Sequence, residues 1–328
     1  MKRLAWELPE QLTDAIRRSR STSLAARTSA AVAVAGMGGS AIGADIIAAV
    51  LAESCPVPFR VVRDYRLPAI VGQRTLFFAV SYSGNTEETL AAYEQATKRG
   101  CQVVVVTGGG ELRRLAERRK QPIFRVPSGL PPRAALGYLL VPLALVLDQV
   151  GVARGLTSQL KRAAAFLGKF RAGFWRQART VARSMKGRLP IVYSTCRLLD
   201  PVADRWRCQL NENAKVLCHT GLFPEHNHNE IVGMGSPSQL RRSVIVFLVD
   251  KRTHPRTMIR MKQTISIVRG TFERVHRLQT GGSALLERVL SLCMLGDMVS
   301  VELARLQGVD PFPVARIDLL KSRMRGGR

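Results

Sequence analysis

The stretch Ser81-Tyr82-Ser83-Gly84-Asn85-Thr86-Glu87-Glu88-Thr89 stands between an apolar run, Leu76 to Val80, and the segment Leu90-Ala91-Ala92-Tyr93. The run has the unbroken hydrophobicity of a buried parallel strand, and the segment after the stretch begins a helix. The stretch is therefore a hydroxyl-rich turn between strand and helix. Such a turn gathers the hydroxyls of Ser81, Ser83 and Thr86 with unpaired backbone N–H groups at the positive end of a helix dipole, and Gly84 lets the backbone come close. A phosphate monoester fits that point. A plain helix cap, with Asn85 or Thr86 capping and Glu87 and Glu88 in the first turn, accounts for one hydroxyl and leaves the others unexplained.

Upstream, Ala31 to Ala35 reads as a buried strand that ends in Gly36-Met37-Gly38-Gly39-Ser40, with a helix from Ala41 to Leu51. Short apolar runs recur at Val57 to Val62, Val103 to Val106 and Ile123 to Val126, with helical patterns between most of them. This alternation predicts an α/β fold, a mostly parallel sheet with helices on both faces. Ligands of such sheets sit beyond the carboxyl ends of the strands, where both turns lie, so the glycine and serine turns can share one ligand. Gly36-x-Gly38-x-x-Ala41 also matches the short dinucleotide fingerprint, with Asp64 near the spacing of a ribose-binding carboxylate. That fingerprint is permissive, and a dinucleotide enzyme has no need of the second turn. The rival is a phosphate site in which Ser40 joins Ser81, Ser83 and Thr86.

Trp6 to Arg18 reads as an amphipathic opening helix, Pro132 to Val150 as a long one, and Gly151 to Thr157 as a linker. A second alternation follows. Ile191 to Ser194 and Val244 to Val249 read as strands, Ile265 to Val268 and Arg274 to Leu278 as further short elements, and Pro201 to Leu217 and Ala284 to Leu306 as long helices. Another helix is expected in the tail from Pro311 to Arg328. At 328 residues the chain holds two domains with proper cores, divided at 1–152 and 153–328.

The hydrophobic content of 46% is that of a globular protein. Cysteines at 55, 101, 196, 208, 218 and 293 form no C-x-x-C pair, which points to a reducing compartment and away from a zinc ribbon or disulfide framework. Lys2 and Arg3 could open a signal peptide, but Glu7 and Pro9 interrupt its apolar region, so a cytoplasmic location is expected. Leu136 to Leu147 contains Pro142 and falls short of the ~20 residues a bilayer-spanning helix needs, so no membrane partner is expected. The net charge of +26 and pI of about 11.2 would suit a nucleic acid or an anionic membrane. The basic residues are scattered with little aromatic interleaving, however. They read as a solvated arginine-rich surface without a specific nucleic-acid partner, though one that sticks to polyanions at low salt.

Six motifs in order carry a resemblance. They are the turn Gly36 to Ser40, the serine stretch, Pro132-Arg133-Ala134-Ala135-Leu136-Gly137, Asn211-Glu212-Asn213-Ala214-Lys215, Pro224-Glu225-His226-Asn227-His228-Asn229 and Arg316-Ile317-Asp318-Leu319-Leu320-Lys321. Together they resemble the archaeal-type bifunctional phosphoglucose/phosphomannose isomerases, which consist of two sugar-isomerase (SIS) domains, and the likeness runs from about Gly36 to Lys321. It implies metal-independent and cofactor-free isomerisation between an aldose and a ketose hexose 6-phosphate. By this resemblance Ser40, Ser81, Ser83 and Thr86 hold the phosphate, with the backbone of Gly38 and Gly39 beside the substrate. Glu212 moves a proton between C1 and C2 through a cis-enediol, and Arg133 stabilises the enediolate. His228, supplied across the interface of a homodimer, assists ring opening with Lys321.

The chemistry suits these residue types. A carboxylate in a dry site can take and return a carbon-bound proton, a guanidinium stays charged before a developing oxyanion, and an imidazole can shuttle protons. Each residue also has a plain alternative. Glu212 and Lys215, at i,i+3 on a helix, could be a surface ion pair. Arg133 at a helix start is badly placed for the dipole, which favours a bound anion nearby. His226-x-His228 with Glu230 could bind a metal on a strand of a β-barrel, but the chain alternates strand and helix. Two residues before the arginine of the Arg-Ile-Asp motif, the bifunctional enzymes carry a threonine that contacts the sugar. Here Val314 keeps its shape without its hydroxyl, so mannose 6-phosphate is expected to react more slowly than glucose 6-phosphate. Two other readings stand beside this one: a noncatalytic sugar-phosphate sensor, and another isomerase of the superfamily such as one acting on amino-sugar phosphates.

Overall fold

The apolar runs pair into two sheets in a computed structural model that describes residues 1–20, 22, 24, 29–234 and 240–326. The first contains β1 (Ala31–Ala35), β2 (Phe59–Val62), β3 (Thr75–Ser81), β4 (Gln102–Thr107) and β5 (Ile123–Arg125), in the order β2-β1-β3-β4-β5. The second contains β6 (Leu189–Ser194), β7 (His219–Leu222), β8 (Ser243–Val249) and β9 (Arg274–Gln279), in the order β7-β6-β8-β9. Every pairing is parallel. In the first sheet the winding direction reverses between β1 and β3, where Ala35 lies beside Ala79. A crevice opens at such a switch point, and the glycine and serine turns leave their strands there.

Side-chain alternation explains why β1 and β3 are buried along their whole length. Val32, Val34, Leu76, Phe78 and Val80 face one core, while Ala33, Ala35, Phe77 and Ala79 face another under the Glu87–Lys98 and Gly110–Arg118 helices. The first core does not stop at this sheet. It continues through Leu139, Leu143, Leu160, Leu167, Val289 and Met298 to Val192, Val244 and Val246 of the second sheet. Both sheets therefore rest on one hydrophobic body built from the Leu136–Gln149, Leu156–Met185 and Leu285–Gln307 helices.

Several sequence expectations need correction. The opening helix is two, Lys2–Trp6 and Leu8–Ser19, with Pro9 at the start of the second. Pro132 to Val150 divides into a 3-10 turn at Pro132–Ala134 and a helix at Leu136–Gln149. The expected linker ends at Leu156, where a 30-residue helix begins. Its apolar positions are spaced between many basic residues, so the run lacks a conspicuous hydrophobic block. Ile265 to Val268 closes the Pro255–Ile267 helix; Met258, Met261, Ile265 and Val268 recur at helical spacing and pack on the outer face of the second sheet. The tail helix is present at Ala315–Gly326, and the last two residues of the basic run from Lys321 to Arg328 lie outside the described residues. Among the described residues no helix is long and apolar enough to cross a membrane, and the six cysteines are free thiols.

Candidate active site

The serine turn is held open by its own hydroxyls. Ser81 Oγ accepts from Gly84 N (3.1 Å) and lies 2.9 Å from Thr86 Oγ1, while Ser83 Oγ accepts from Asn85 N at 3.2 Å. Ser40 Oγ reaches across from the glycine turn to accept from Tyr82 N at 3.2 Å, tying the two turns together. A hydroxyl that accepts still has its proton to give. Ser40, Ser83 and one member of the Ser81–Thr86 pair thus keep donors for an anion. Thr86 begins the Glu87–Lys98 helix without a side-chain cap, which leaves first-turn N–H groups for the same ligand. Gly84 has φ +71°, and a methyl group there would fall 1.8 Å from Gly109 O, so only glycine lets the neighbouring loop close on this turn. Asn85, read above as a possible cap of its own helix, instead accepts from Glu111 N at 2.9 Å and fixes that loop.

The glycine turn rests on the arginine. A methyl group on Gly39 would sit 2.9 Å from Pro132 C and O and 3.0 Å from Arg133 N. The Arg133 side chain is buried and fully engaged. Nε donates to Asn213 Oδ1 (2.7 Å), Nη1 to Glu212 Oε2 (3.3 Å), and Nη2 to the carbonyls of Pro311 (2.6 Å) and Phe312 (3.0 Å). Burial lowers the proton affinity of this guanidinium and Glu212 partly restores it; an arginine remains charged in any case. One residue thus gathers the glycine turn, the carboxylate and the tail.

Glu212 does not lie in a continuous helix. The expected helix from Pro201 to Leu217 stops at Gln209, a π-turn spans Leu210–Ala214, and Lys215 ends it in the left-handed conformation at φ +58°. Such single π-turns redirect side chains and recur at functional sites. The i,i+3 ion pair is absent: Lys215 Nζ donates to the Glu212 carbonyl (2.5 Å) and to Pro313 O (2.6 Å), so the Glu212 carboxylate faces Arg133.

Under this pair lies a buried polar network that the sequence reading missed. The Arg133 carbonyl accepts from Arg205 Nη2 (3.0 Å) and Gln209 Nε2 (3.2 Å), and both donors are held by Asp297, each at 2.7 Å. Asn213 joins through Gln209 and Ser300. Burial pushes the Asp297 carboxyl up, while Arg205 and Gln209 pull it back down. A lone aspartate within the apolar run Leu292 to Val301 was the available signal, because such a charge must find a partner.

The remaining candidates stay apart from this centre. His226-x-His228 falls on a 3-10 turn at Glu225–His228, not on a strand. His226 is buried against Tyr193 and Phe223, and burial pushes its imidazole down from the ordinary range. His228 is exposed, with no hydrogen bond among the described residues. Glu230 anchors this turn: it accepts from Tyr193 Oη at 2.9 Å and lies 2.9 Å from His219 Nε2. Burial raises the Glu230 carboxyl, but these partners outweigh it and hold it below the usual range. Lys321 is exposed on the Ala315–Gly326 helix and touches neither Glu212 nor Arg133 within the chain. Val314 is half-buried just before that helix, one residue beyond the carbonyl that holds Lys215. Asp64 is exposed, and its Oδ1 accepts from the backbone N–H groups of Tyr65 and Arg66.

A bifunctional phosphoglucose/phosphomannose isomerase of Caldicellulosiruptor bescii is 37% identical over 329 residues, covering 97% of each chain. The chain belongs to this family. The isomerase of the same name from Aquifex aeolicus is 35% identical over 291 residues, 88% of this chain and 89% of its own. Within the family frame, residues 27–118 match the SIS domain and residues 174–324 the bacterial phosphoglucose isomerase C-terminal SIS domain. The fold also matches the structure of a hypothetical protein from Thermus thermophilus, with a TM-score of 0.76 at 17% identity over 99% of this chain and 90% of that one. In this bifunctional isomerase family member, the Arg133–Glu212 contact joins the segment that follows the first SIS match to the second SIS match.

Proposed function

We propose that the chain interconverts glucose 6-phosphate, and more slowly mannose 6-phosphate, with fructose 6-phosphate, without metal or cofactor. The observation that carries this reading is Glu212 Oε2 at 3.3 Å from Arg133 Nη1, beside a glycine turn whose Ser40 is tied to the backbone of the hydroxyl-rich serine turn. Residues 1–152 supply the phosphate turns and Arg133, and residues 153–328 supply the carboxylate. Ser40, Ser81, Ser83 and Thr86 take the phosphate, with Gly38 and Gly39 beside the sugar. Glu212 removes the C2 proton of the open-chain aldose, the hydroxyl proton passes from O2 to O1, and Glu212 returns its proton to C1. Arg133 balances the charge that builds on the enediolate oxygens. The setting is a cytoplasmic sugar-phosphate metabolism such as glycolysis or gluconeogenesis.

Ring opening by His228 and Lys321 requires a second copy of the chain. Two features support this: both side chains are exposed, and the tail carries Phe312, Ile317, Leu319 and Leu320 uncovered, an apolar surface that asks for a partner. In a mixture of Glu212→Gln and His228→Ala chains, each inactive alone, sites that draw Glu212 and His228 from different chains should recover about a quarter of wild-type turnover, the random share in a two-fold dimer. No recovery after verified subunit exchange would place both groups in one chain.

The reaction itself is tested by incubating the protein with fructose 6-phosphate, with and without chelator, and following both aldoses. Chelator-resistant glucose 6-phosphate formation exceeding mannose 6-phosphate is expected, with Val314→Thr raising the mannose share. Equal rates on both epimers would remove the role given to Val314, and no product from folded protein would leave a sugar-phosphate-binding module.

A further inference from the structure

The isomerase reading does not use the positive charge, and part of that charge lines a groove to which no residue of the serine turn contributes. The Lys2–Trp6 helix and the second half of the Leu156–Met185 helix flank an open groove of about 700 Å³. Lys2, Arg3, Arg176 and Arg179 line it, with Trp6 and Trp175 as walls, and no carboxylate contributes among the described residues. The nearby acids are taken: Glu7 lies 3.4 Å from Arg3 in an exposed pair of little strength, and Glu10 holds Arg171 at 2.7 Å. Lys2, Arg176 and Arg179 have no carboxylate within ion-pair distance among the described residues.

A second, independent feature lies in the wall. Trp175 is 6% exposed, and its indole N–H has no acceptor among the described residues. A buried donor left unmade costs about 1–3 kcal/mol, and because the nitrogen itself is closed off from solvent, an acceptor reaches it only once the wall above it shifts. The Lys2 ammonium lies over this ring at 5.4 Å on an exposed, long side chain that an anion can draw aside. Aromatic residues are sparse among the basic runs of the sequence, but the fold brings Trp6 and Trp175 together from distant parts of the chain. They meet edge to face, with centroids 6.3 Å apart.

We propose that this groove is an accessory site for a compact polyphosphate anion, either inorganic triphosphate or the triphosphate of a nucleotide. Its oxygens pair with Lys2, Arg176 and Arg179 and accept from the Trp175 indole N–H. A single-stranded nucleic acid fits less well, since base stacking needs an open aromatic face. Arg171 covers Trp6 at 4.9 Å, and Trp175 is too deeply buried to offer its face. Several cations without acids match a multiply charged ligand better than a monophosphate, and the volume lies within the range of small-ligand pockets. The binding stands apart from the isomerase reading, whose phosphate site is the serine turn.

Calorimetric titration of the full chain with inorganic triphosphate and with ATP, in near-physiological salt, tests the site. Saturable binding of triphosphate is expected, weakened at least about tenfold by Arg176→Glu with Arg179→Glu, two exposed positions, and weakened severalfold by Trp175→Phe, which keeps the ring and removes the donor. Isomerase turnover should be unchanged in both variants. Equal affinity for triphosphate and ATP assigns the contact to phosphates alone, and tighter ATP binding extends it to the nucleoside; both support the site. Absence of saturable binding overturns it. So does binding that survives the charge reversals but is lost in Ser81→Ala, which would put the anion in the serine turn. Tight binding of a single-stranded oligonucleotide that triphosphate cannot displace also overturns it.

Discussion

Glu212→Gln is expected to lower kcat for fructose 6-phosphate isomerisation by about 10²–10⁴-fold, the range for loss of a positioned general base. The amide has the shape of the carboxylate and can still accept from Arg133 Nη1, so the π-turn and the Arg133 contacts to Asn213, Pro311 and Phe312 have no reason to change. What disappears is the basic oxygen. KM should therefore move little while kcat falls, and solvent deuterium should cease to enter C1 or C2 of the sugar. A variant that kept most of its turnover would show that the proton is moved by another group.

Arg205→Ala should produce the largest loss of stability, about 3–5 kcal/mol in a denaturant titration, because it leaves the buried Asp297 without its charged partner. Gln209 alone remains on that carboxylate. Replacing both members, as Arg205→Met with Asp297→Leu, should restore most of the stability, since buried ion pairs are often no more stabilising than well-packed apolar groups. Activity should not return with it. The Arg133 carbonyl would still lack its Arg205 donor, and Gln209 would lose the acceptor that orients it. A double variant both stable and fully active would reduce the network to a packing role, whereas a stable but slow one makes Arg205 and Asp297 positioning residues for Arg133.

The sequence revealed the site in parts but not its assembly. Strand, turn and helix around Ser81 to Thr89 were legible because a buried strand and a hydroxyl-rich turn each leave a local pattern. The same holds for β1 and the glycine turn, and the placing of both turns at one switch point follows from parallel topology. The π-turn at Leu210–Ala214 was not legible, because helix-forming residues continue through it and the break depends on Arg133 and Asn213, 80 positions apart. β7 was missed for a similar reason: four residues, His219-Thr220-Gly221-Leu222, gain strand character only by pairing with β6. The 30-residue Leu156–Met185 helix was passed over because its apolar stripe is diluted by cations, although Leu160, Ala163, Leu167, Trp175, Ala178 and Val181 lie on its buried side. Arg205, Gln209 and Asp297 left only the faint mark of a charge in an apolar helix.

That same long helix limits how this protein can be recombined. Its Leu160 and Leu167 belong to the hydrophobic body that also contains Val34 of the first sheet and Val246 of the second. A chimera that took its catalytic half from one relative and its phosphate-binding half from another would join two surfaces fitted to different partners. The exchangeable unit is thus neither half of the sequence but a half together with the helix face it was packed against, so substitutions along this seam must change in concert for either half to keep its shape.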